Sequence, residues 1–315
     1  MVMGIPGLRD IEDAQKRIAG VAARTPVVES PALSKLSGRQ VFLKLECFQP
    51  IKVFKIRGAY NRISQVKEKG VVAASSGNHG IAVAYSSRLL GKKCTVVVPE
   101  TIVREKAETI TEYGAELVKA GRFSHERETK AREIARTTDS AFVHPFNDAA
   151  VIAGQGTCGL EISQQLREFD SVLVPVGGGG LISGISIALK SQGQKPRIFG
   201  VEPENAPKLS GALSAKRIVT IASPSSVADG LMPSALGDLT YDACSRFVDG
   251  AFTASEEEIL DATRVMVKEA KIIAEPSGAA PLAPLLSHRE GLGERVVVVV
   301  SGGNISRDVL LRVLA

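Results

Sequence analysis

"SVLVPVGGGGLISGI", residues 171–185, decides the fold. Its first six residues form a near-continuous apolar run, the pattern of a strand covered on both faces. Four glycines, Gly177 to Gly180, follow, and then an apolar segment of helical character. Consecutive glycines let backbone N–H groups converge on an anion, and a helix N-terminus adds a favourable dipole. A tight turn with no ligand is the plain alternative. A dinucleotide site is the other, because Glu202 ends the next strand about where a ribose-binding acid would stand. That site needs G-x-G-x-x-G, however, and counting from Gly178 and Gly180 the third position falls on Ser183. No G-x-x-x-x-G-K-[ST] occurs either, so a cup for a single phosphate fits best.

Working outward, short apolar runs recur at 41–46, 70–75, 94–99, 115–120, 141–144, 197–202 and 295–301, and each is expected to be a strand. Helical chemistry fills the intervals. "FSHERETKAREIARTT" (123–138) is charged on most faces, and "SEEEILDATRVMVKEAK" (255–271) opens with Ser255 and Glu258 as a capping box. Alternating strands and helices predict an α/β fold with parallel sheets. The stretch "GDLTYDACSRFVDGAFTAS" (237–255) is too irregular to assign.

Composition narrows the function. A chain of 315 residues predicts one large or two medium domains. The net charge of +5 is dispersed, aromatics make up only 4% and Trp is absent, which argues against a nucleic-acid groove. The longest apolar stretches are too short to span a bilayer, and "MVMGIPGLRDIEDAQ" has no apolar signal region, so no membrane association and a cytoplasmic location are expected. Cys47, Cys94, Cys158 and Cys244 lie far apart, which supports neither a zinc site nor a disulfide framework.

Two further polar turns end predicted strands. "SSGNHGIAVAYSSRLLG" (75–91) gathers Ser75, Ser76, Asn78 and His79 at a helix start, a good seat for a carboxylate, although simple capping by Ser76 or Asn78 would also account for it. "VVSGGNIS" (299–306) ends the last strand with Ser301. Such turns converge on one edge of a parallel sheet, where ligands of these folds bind. In "IKVFKIRGAYN" (51–61), Lys52, Lys55 and Arg57 are then either surface charges or include a chemical group. A phosphate cup, a carboxylate seat and a reactive amine are together what an enzyme needs to hold pyridoxal phosphate and an amino acid.

In combination, "FKIRGA", "SSGNHG", "VGGGG" and "SGGN" closely resemble the fold type II pyridoxal-phosphate enzymes, nearest to the threonine dehydratase and serine racemase family. "HPFNDAAVIAGQGT" (144–157), "VADG" (227–230) and "AEPSGA" (274–279) occur in that family's order, so the resemblance spans nearly the whole chain. It implies the two-domain, tryptophan synthase β-like architecture: a large cofactor-binding domain from 1–69 and 148–315, and a small substrate-closing domain from 70–147. It makes Lys55 the Schiff-base lysine, primed by burial against Phe54. Lys52 and Arg57 become structural or surface charges. Phe54 and Gly230 become the walls about the cofactor ring, Gly177, Gly178, Gly179 and Gly180 the phosphate cup, Asn78 the partner of the ring hydroxyl and Ser301 that of the ring nitrogen. Ser75, Asn78 and His79 fall where the family holds the substrate carboxylate.

The implied activity is L-threonine and L-serine dehydration by β-elimination, with Lys55 as general base. Serine racemization and threo-3-hydroxyaspartate dehydration are the alternatives. Ser76 carries the first of these: racemases have serine there as a second acid–base group, whereas a helix cap is the other reading. Arg127 carries the other, since it aligns with a racemase arginine that can contact a substrate's side-chain end and would favour a second carboxylate; a solvated charge is its alternative. Three departures bear on the details. "IKVFK" lacks the hydroxyl and glycine of the common T-G-S-F-K. "EPENAPK" (202–208) keeps Glu202 and the Ala206 carbonyl of a divalent-metal site but puts Lys208 at the third ligand, where an ammonium repels Mg²⁺ or Ca²⁺ or substitutes for it. "ADGLMPS" has Pro233 near the point where racemases have serine. No metal ligand is assigned, and activity is expected to survive chelation. The resemblance also implies a homodimer, and an end at Ala315 without a C-terminal regulatory domain. Outside this class, an NAD-dependent oxidoreductase is disfavoured by the missing glycine, and a non-catalytic cofactor carrier by the intact Lys55, Ser301 and carboxylate seat.

Overall fold

The computed structural model describes residues 4–75, 77–102, 104–121 and 124–315. Among the described residues the strands are β1 (Val27–Glu29), β2 (Gln40–Leu45), β3 (Gly70–Ala74), β4 (Lys93–Val98), β5 (Glu116–Lys119), β6 (Ser140–Phe142), β7 (Ser171–Pro175), β8 (Arg197–Pro203), β9 (Gly250–Ala254) and β10 (Arg295–Val300). They form two sheets, one in the order β1-β2-β10-β7-β8-β9 and one in the order β5-β4-β3-β6. Every pairing is parallel except β1 with β2. The second sheet is drawn wholly from residues 70–142, and the first from segments on both sides of that span.

The apolar runs are continuous because the central strands are covered on both faces. Along β10, Val296, Val298 and Val300 enter one core layer while Val297 and Val299 enter the other. In the smaller sheet Val71 and Ala73 of β3 face one layer and Val72 the other. Two strands escaped sequence reading. β1 has only three residues, all at least partly open to solvent, and β9 carries an exposed threonine and half-buried residues, so neither gives an apolar run. The unassigned stretch resolves into the helix Asp238–Phe247 followed by β9. The expected capping box forms at Ser255, whose hydroxyl accepts from Glu258 N while the Glu258 carboxylate accepts from Ser255 N.

One buried helix, Ala149–Gln165, aligns the parts that matter. A Cβ on its Gly154 would come within 2.5 Å of the Arg57 carbonyl oxygen, so glycine is what lets helix Lys55–Ile63 press against it. On its other side, a Cβ on Gly184 of helix Gly180–Ser191 would lie 2.4 Å from Gly156 N. Both active-edge helices are thus referenced to the same rod. A buried charge cluster fixes the first of them further. Arg57, fully enclosed, pairs with Glu46 and Glu161 at 2.7 Å each, and Lys44 reaches Glu161 at 2.6 Å. Two cations meet two carboxylates, and the Arg57 guanidinium holds Glu46 down to about 2 against the effect of burial. Arg57 is therefore a structural charge, while Lys52 is exposed, with φ 62°.

Candidate active site

A cavity of about 520 Å³ opens where β3, β7 and β10 end, at their C-terminal edges. Phe54, Lys55, Ser75, Asn78, His79, Arg127, Gly177 to Gly180, Gly230 and Ser301 all line it. These are the candidate residues read from the sequence, with one exception: Ser76, read as acid–base group or helix cap, lies outside the described residues. A wider depression of about 900 Å³ at the opposite strand ends is lined by Arg167, Glu168, Lys195, Arg197 and Arg295 among others. It faces the end of the sheets where folds of this kind do not bind ligands.

Backbone pairing brings Lys55 to Ser301. Phe54 N donates to the Ser301 carbonyl at 3.0 Å, Gly303 N donates to the Lys52 carbonyl at 2.8 Å, and Val53 bridges Gly302. The "AEPSGA" segment joins them through Glu275 N, which donates to the Gly302 carbonyl at 3.0 Å. Lys55 starts its helix half-buried, open to the cavity rather than to bulk water. Desolvation pushes its amine down to about 8. Its Nζ donates to the Pro145 carbonyl at 2.8 Å and stands 5.2 Å from the centre of the Phe54 ring.

The glycine turn closes the cavity floor. Gly179 has φ +89°, a left-handed conformation that glycine adopts without strain, and from it helix Gly180–Ser191 begins with its first N–H groups unused by the helix. The turn wraps Phe146, whose ring would lie 2.1 Å from a Cβ on Gly178. Thr240 Oγ1 donates to the Gly178 carbonyl at 2.8 Å, and Gly230 N donates to Ser277 Oγ at 2.9 Å.

Across the cavity, helix Asn78–Leu89 begins. Ser75 Oγ accepts from Gly77 N at 3.2 Å. The His79 imidazole is buried and kept neutral, pushed down to about 3 by desolvation, with Lys55 adding to the shift. Its Nε2–H donates to the Val143 carbonyl at 2.9 Å, which leaves Nδ1 an acceptor with no hydrogen-bond partner among the described residues. Donors at this helix start are therefore backbone N–H groups rather than the ring. Arg127, on helix Ser124–Thr137, is only 9% exposed and faces the cavity, so it is not a solvated charge; burial lowers its pKa, opposed by Glu126.

Several residues at the site had no role in the sequence reading. The segment His144–Asn147 is a hub: Pro145 receives Lys55, Phe146 underlies the glycine turn, and Asn147 Oδ1 accepts from Leu239 N. His144 Nδ1 accepts from Phe146 N at 3.2 Å and Asn147 N at 2.8 Å, so the imidazole shapes this segment rather than offering it a reactive group. Lys106 and Asp229 form an ion pair at the mouth, joining helix Arg104–Glu112 to the turn Asp229–Leu231. Glu275, buried, meets Asn78. At the Glu202 position, the enclosed Lys208 donates to the carbonyls of Ala206 at 2.8 Å and Leu231 at 3.0 Å and lies 3.6 Å from Glu202 Oε2.

A half-buried amine beside a glycine turn that opens a helix, at the C-terminal edge of a parallel sheet, is the arrangement of an α/β enzyme site suited to a phosphorylated carbonyl compound. The profile of one family, described as "Pyridoxal-phosphate dependent enzyme", matches residues 18–302, and the chain belongs to that family. It is 40% identical over 311 residues to the L-threonine ammonia-lyase of Thermotoga maritima, covering 98% of this chain and 78% of that protein. It is 39% identical over 313 residues to the beta-hydroxyaspartate dehydratase of Paracoccus denitrificans, covering 98% and 99%. The structure of maize serine racemase superposes with a TM-score of 0.93 at 35% identity, over 97% of this chain and 96% of that one. No described helix is long and apolar enough to cross a membrane.

Proposed function

We propose that the protein is an L-threonine/L-serine ammonia-lyase, giving 2-oxobutanoate or pyruvate and ammonia. The observation that carries this is the Lys55 amine, facing the Gly177–Gly180 turn and Ser301 within one cavity. The site fits pyridoxal phosphate: an amine for its aldehyde, free helix-start N–H groups for its phosphate, and a buried hydroxyl, Ser301, for its ring nitrogen. Bound, the cofactor supplies the electron sink that acidifies the Cα proton of an amino acid and lets a β-hydroxyl depart.

The chain's own residues do the rest. Lys55, titrating near 8, takes the Cα proton as general base. Ser301, a neutral partner, does not impose a proton on the ring as a carboxylate would, which suits elimination. Phe54 and Gly230 wall the ring, and Asn78 offers its amide to the ring hydroxyl. Ser75, Asn78 and the backbone N–H groups at the start of helix Asn78–Leu89 seat the substrate carboxylate. The unit of residues 70–147 closes over the substrate against the unit of 1–69 and 148–315, excluding water. At Glu202, the Lys208 ammonium stands in for a divalent cation, so the rate is expected to be unchanged by EDTA; strong inactivation would overturn this. A cytoplasmic homodimer completes the proposal, and light scattering at twice the chain mass is the expected result for the dimer.

Incubation with L-threonine or L-serine is expected to release 2-oxobutanoate or pyruvate with ammonia. Abundant D-serine, lost in Ser76→Ala, would instead assign a racemase. A second substrate class is favoured by one feature, the buried Arg127 at the cavity. Its guanidinium suits bidentate pairing with the second carboxylate of 3-hydroxyaspartate. Faster oxaloacetate release from threo-3-hydroxyaspartate than pyruvate from serine, reversed in Arg127→Ala, would select that class.

A further inference from the structure

Asn78 belongs to a chain of hydrogen bonds whose direction is fixed at one end. The Ile51 carbonyl oxygen can only accept, so Asn304 turns its Nδ2 toward it, at 3.2 Å. The same Nδ2 donates to Asn78 Oδ1 at 2.8 Å. Asn78 therefore keeps its oxygen on the Asn304 side, and its Nδ2 donates to Glu275 Oε1 at 2.7 Å. An amide nitrogen carries two N–H bonds, and Glu275 engages one. Glu275 is itself held in place: its backbone is tied to Gly302, and a Cβ on Gly302 would lie 2.3 Å from Oε1. Both Asn78 and Glu275 line the cavity.

We propose that Glu275 and Asn304 clamp the Asn78 amide in one orientation, so that its second N–H is a fixed donor to an oxygen of the bound ligand. Under the function proposed above, on which this rests, that oxygen is the ring hydroxyl of pyridoxal phosphate. Glu275 and Asn304 are positioning residues: they act through Asn78. The clamp has an adjustable element. Burial, helped by Asp229, pushes the Glu275 carboxyl up to about 7, while the Asn78 hydrogen bond and Lys106 pull it down. The Cys47 thiol also faces it, and is neutral because burial pushes it up to about 12. An ionised carboxylate accepts more strongly than a protonated one and polarises the shared amide. The ligand oxygen therefore meets a donor whose strength changes as Glu275 titrates.

The test uses the holoenzyme and reads the visible absorption band of the bound cofactor, and its dissociation constant, from about pH 5.5 to 8.5. Wild type is expected to change its band with a midpoint near neutral pH. Glu275→Gln, which still accepts from Asn78 but cannot ionise, is expected to lose that step. Asn304→Asp cannot donate to Asn78 Oδ1, so the amide turns over; the band is expected to shift at every pH and cofactor affinity to fall about tenfold or more. Asn304→Ala, which only removes the donor, is expected to weaken binding in the same direction if the aspartate variant does not fold. A Glu275→Gln protein that titrates like wild type, or Asn304 variants with unchanged band and affinity, would overturn the clamp alone. A wild type that binds no pyridoxal phosphate would overturn the proposed function and with it the ligand named here.

Discussion

Lys55 and Lys208 are both taken out of bulk water, and desolvation pushes each down to about 8. Their surroundings differ in kind. Lys55 opens onto the cavity, its amine held by one carbonyl and faced by an aromatic ring. Lys208 is completely enclosed, with two carbonyls and the Glu202 carboxylate around it. Glu202 in turn accepts from Leu209 N, Ser210 N and the Ser210 hydroxyl, each at 2.8 Å. Burial makes a lysine easier to deprotonate, but access and the partner set decide whether it is a reagent or a structural ion.

The largest expected effect separates the two. Lys55→Ala should reduce keto-acid release by at least about 10³-fold, because it removes the group proposed as both nucleophile and general base. The thermal transition of the cofactor-free protein should barely change, since among the described residues the one hydrogen bond lost is to the Pro145 carbonyl. Comparable turnover in the variant would break the contrast outright. Lys208→Met should do the reverse: it leaves the Glu202 carboxylate buried without a counter-charge, at a cost of about 3–5 kcal/mol in urea unfolding. Turnover per folded molecule should persist. A stable but inactive Lys208→Met would make that lysine part of the chemistry.

The third effect concerns a buried acid rather than a base. Glu275 titrates at about 7 in the fold, against 4.5 ordinarily. Between those values the folded state binds more protons than the unfolded chain, so wild-type stability falls as pH rises through that window. Glu275→Gln does not titrate. Its stability relative to wild type should therefore grow between pH 4.5 and 7, by about 3 kcal/mol. A flat difference across that range in urea titrations would mean the carboxyl is ionised throughout.

Legibility in the sequence followed burial and chemistry. The β10 run was plain because both faces of the strand are covered, whereas the short, half-exposed β1 and β9 left no apolar run. Gly177 to Gly180, Lys55 and Ser301 were legible because glycine runs, a lysine and a strand-end serine each stand for a recognisable chemical role, and the ordered motifs joined them. The His144–Asn147 hub was not, because its imidazole is spent on its own backbone and the rest of its contribution is a carbonyl, a packing ring and an amide, roles that many residue types can fill. Lys106 with Asp229, and Glu275 with Asn78, were hidden for a different reason. Each pair spans more than 120 residues of chain, so nothing local in the sequence announces it.

That long-range pair at the mouth gives the smallest effect and the finest test of the contrast. Lys106 is 24% and Asp229 58% exposed at the side chain, so solvent and salt screen their attraction. Lys106→Ala should change unfolding free energy by no more than about 1 kcal/mol. The pair nevertheless ties helix Arg104–Glu112, beside the smaller sheet, to the turn bearing Gly230. If the closed cleft is what retains substrate, the variant should raise KM by up to about fivefold with kcat nearly kept, as that same free energy requires. Raised ionic strength should increase the wild-type KM and leave the variant's unchanged. A loss of stability as large as that expected for Lys208→Met, or of turnover as large as that for Lys55→Ala, would mean that exposure does not rank these lysines, and that the ion pair at the mouth is a structural or chemical element rather than a latch.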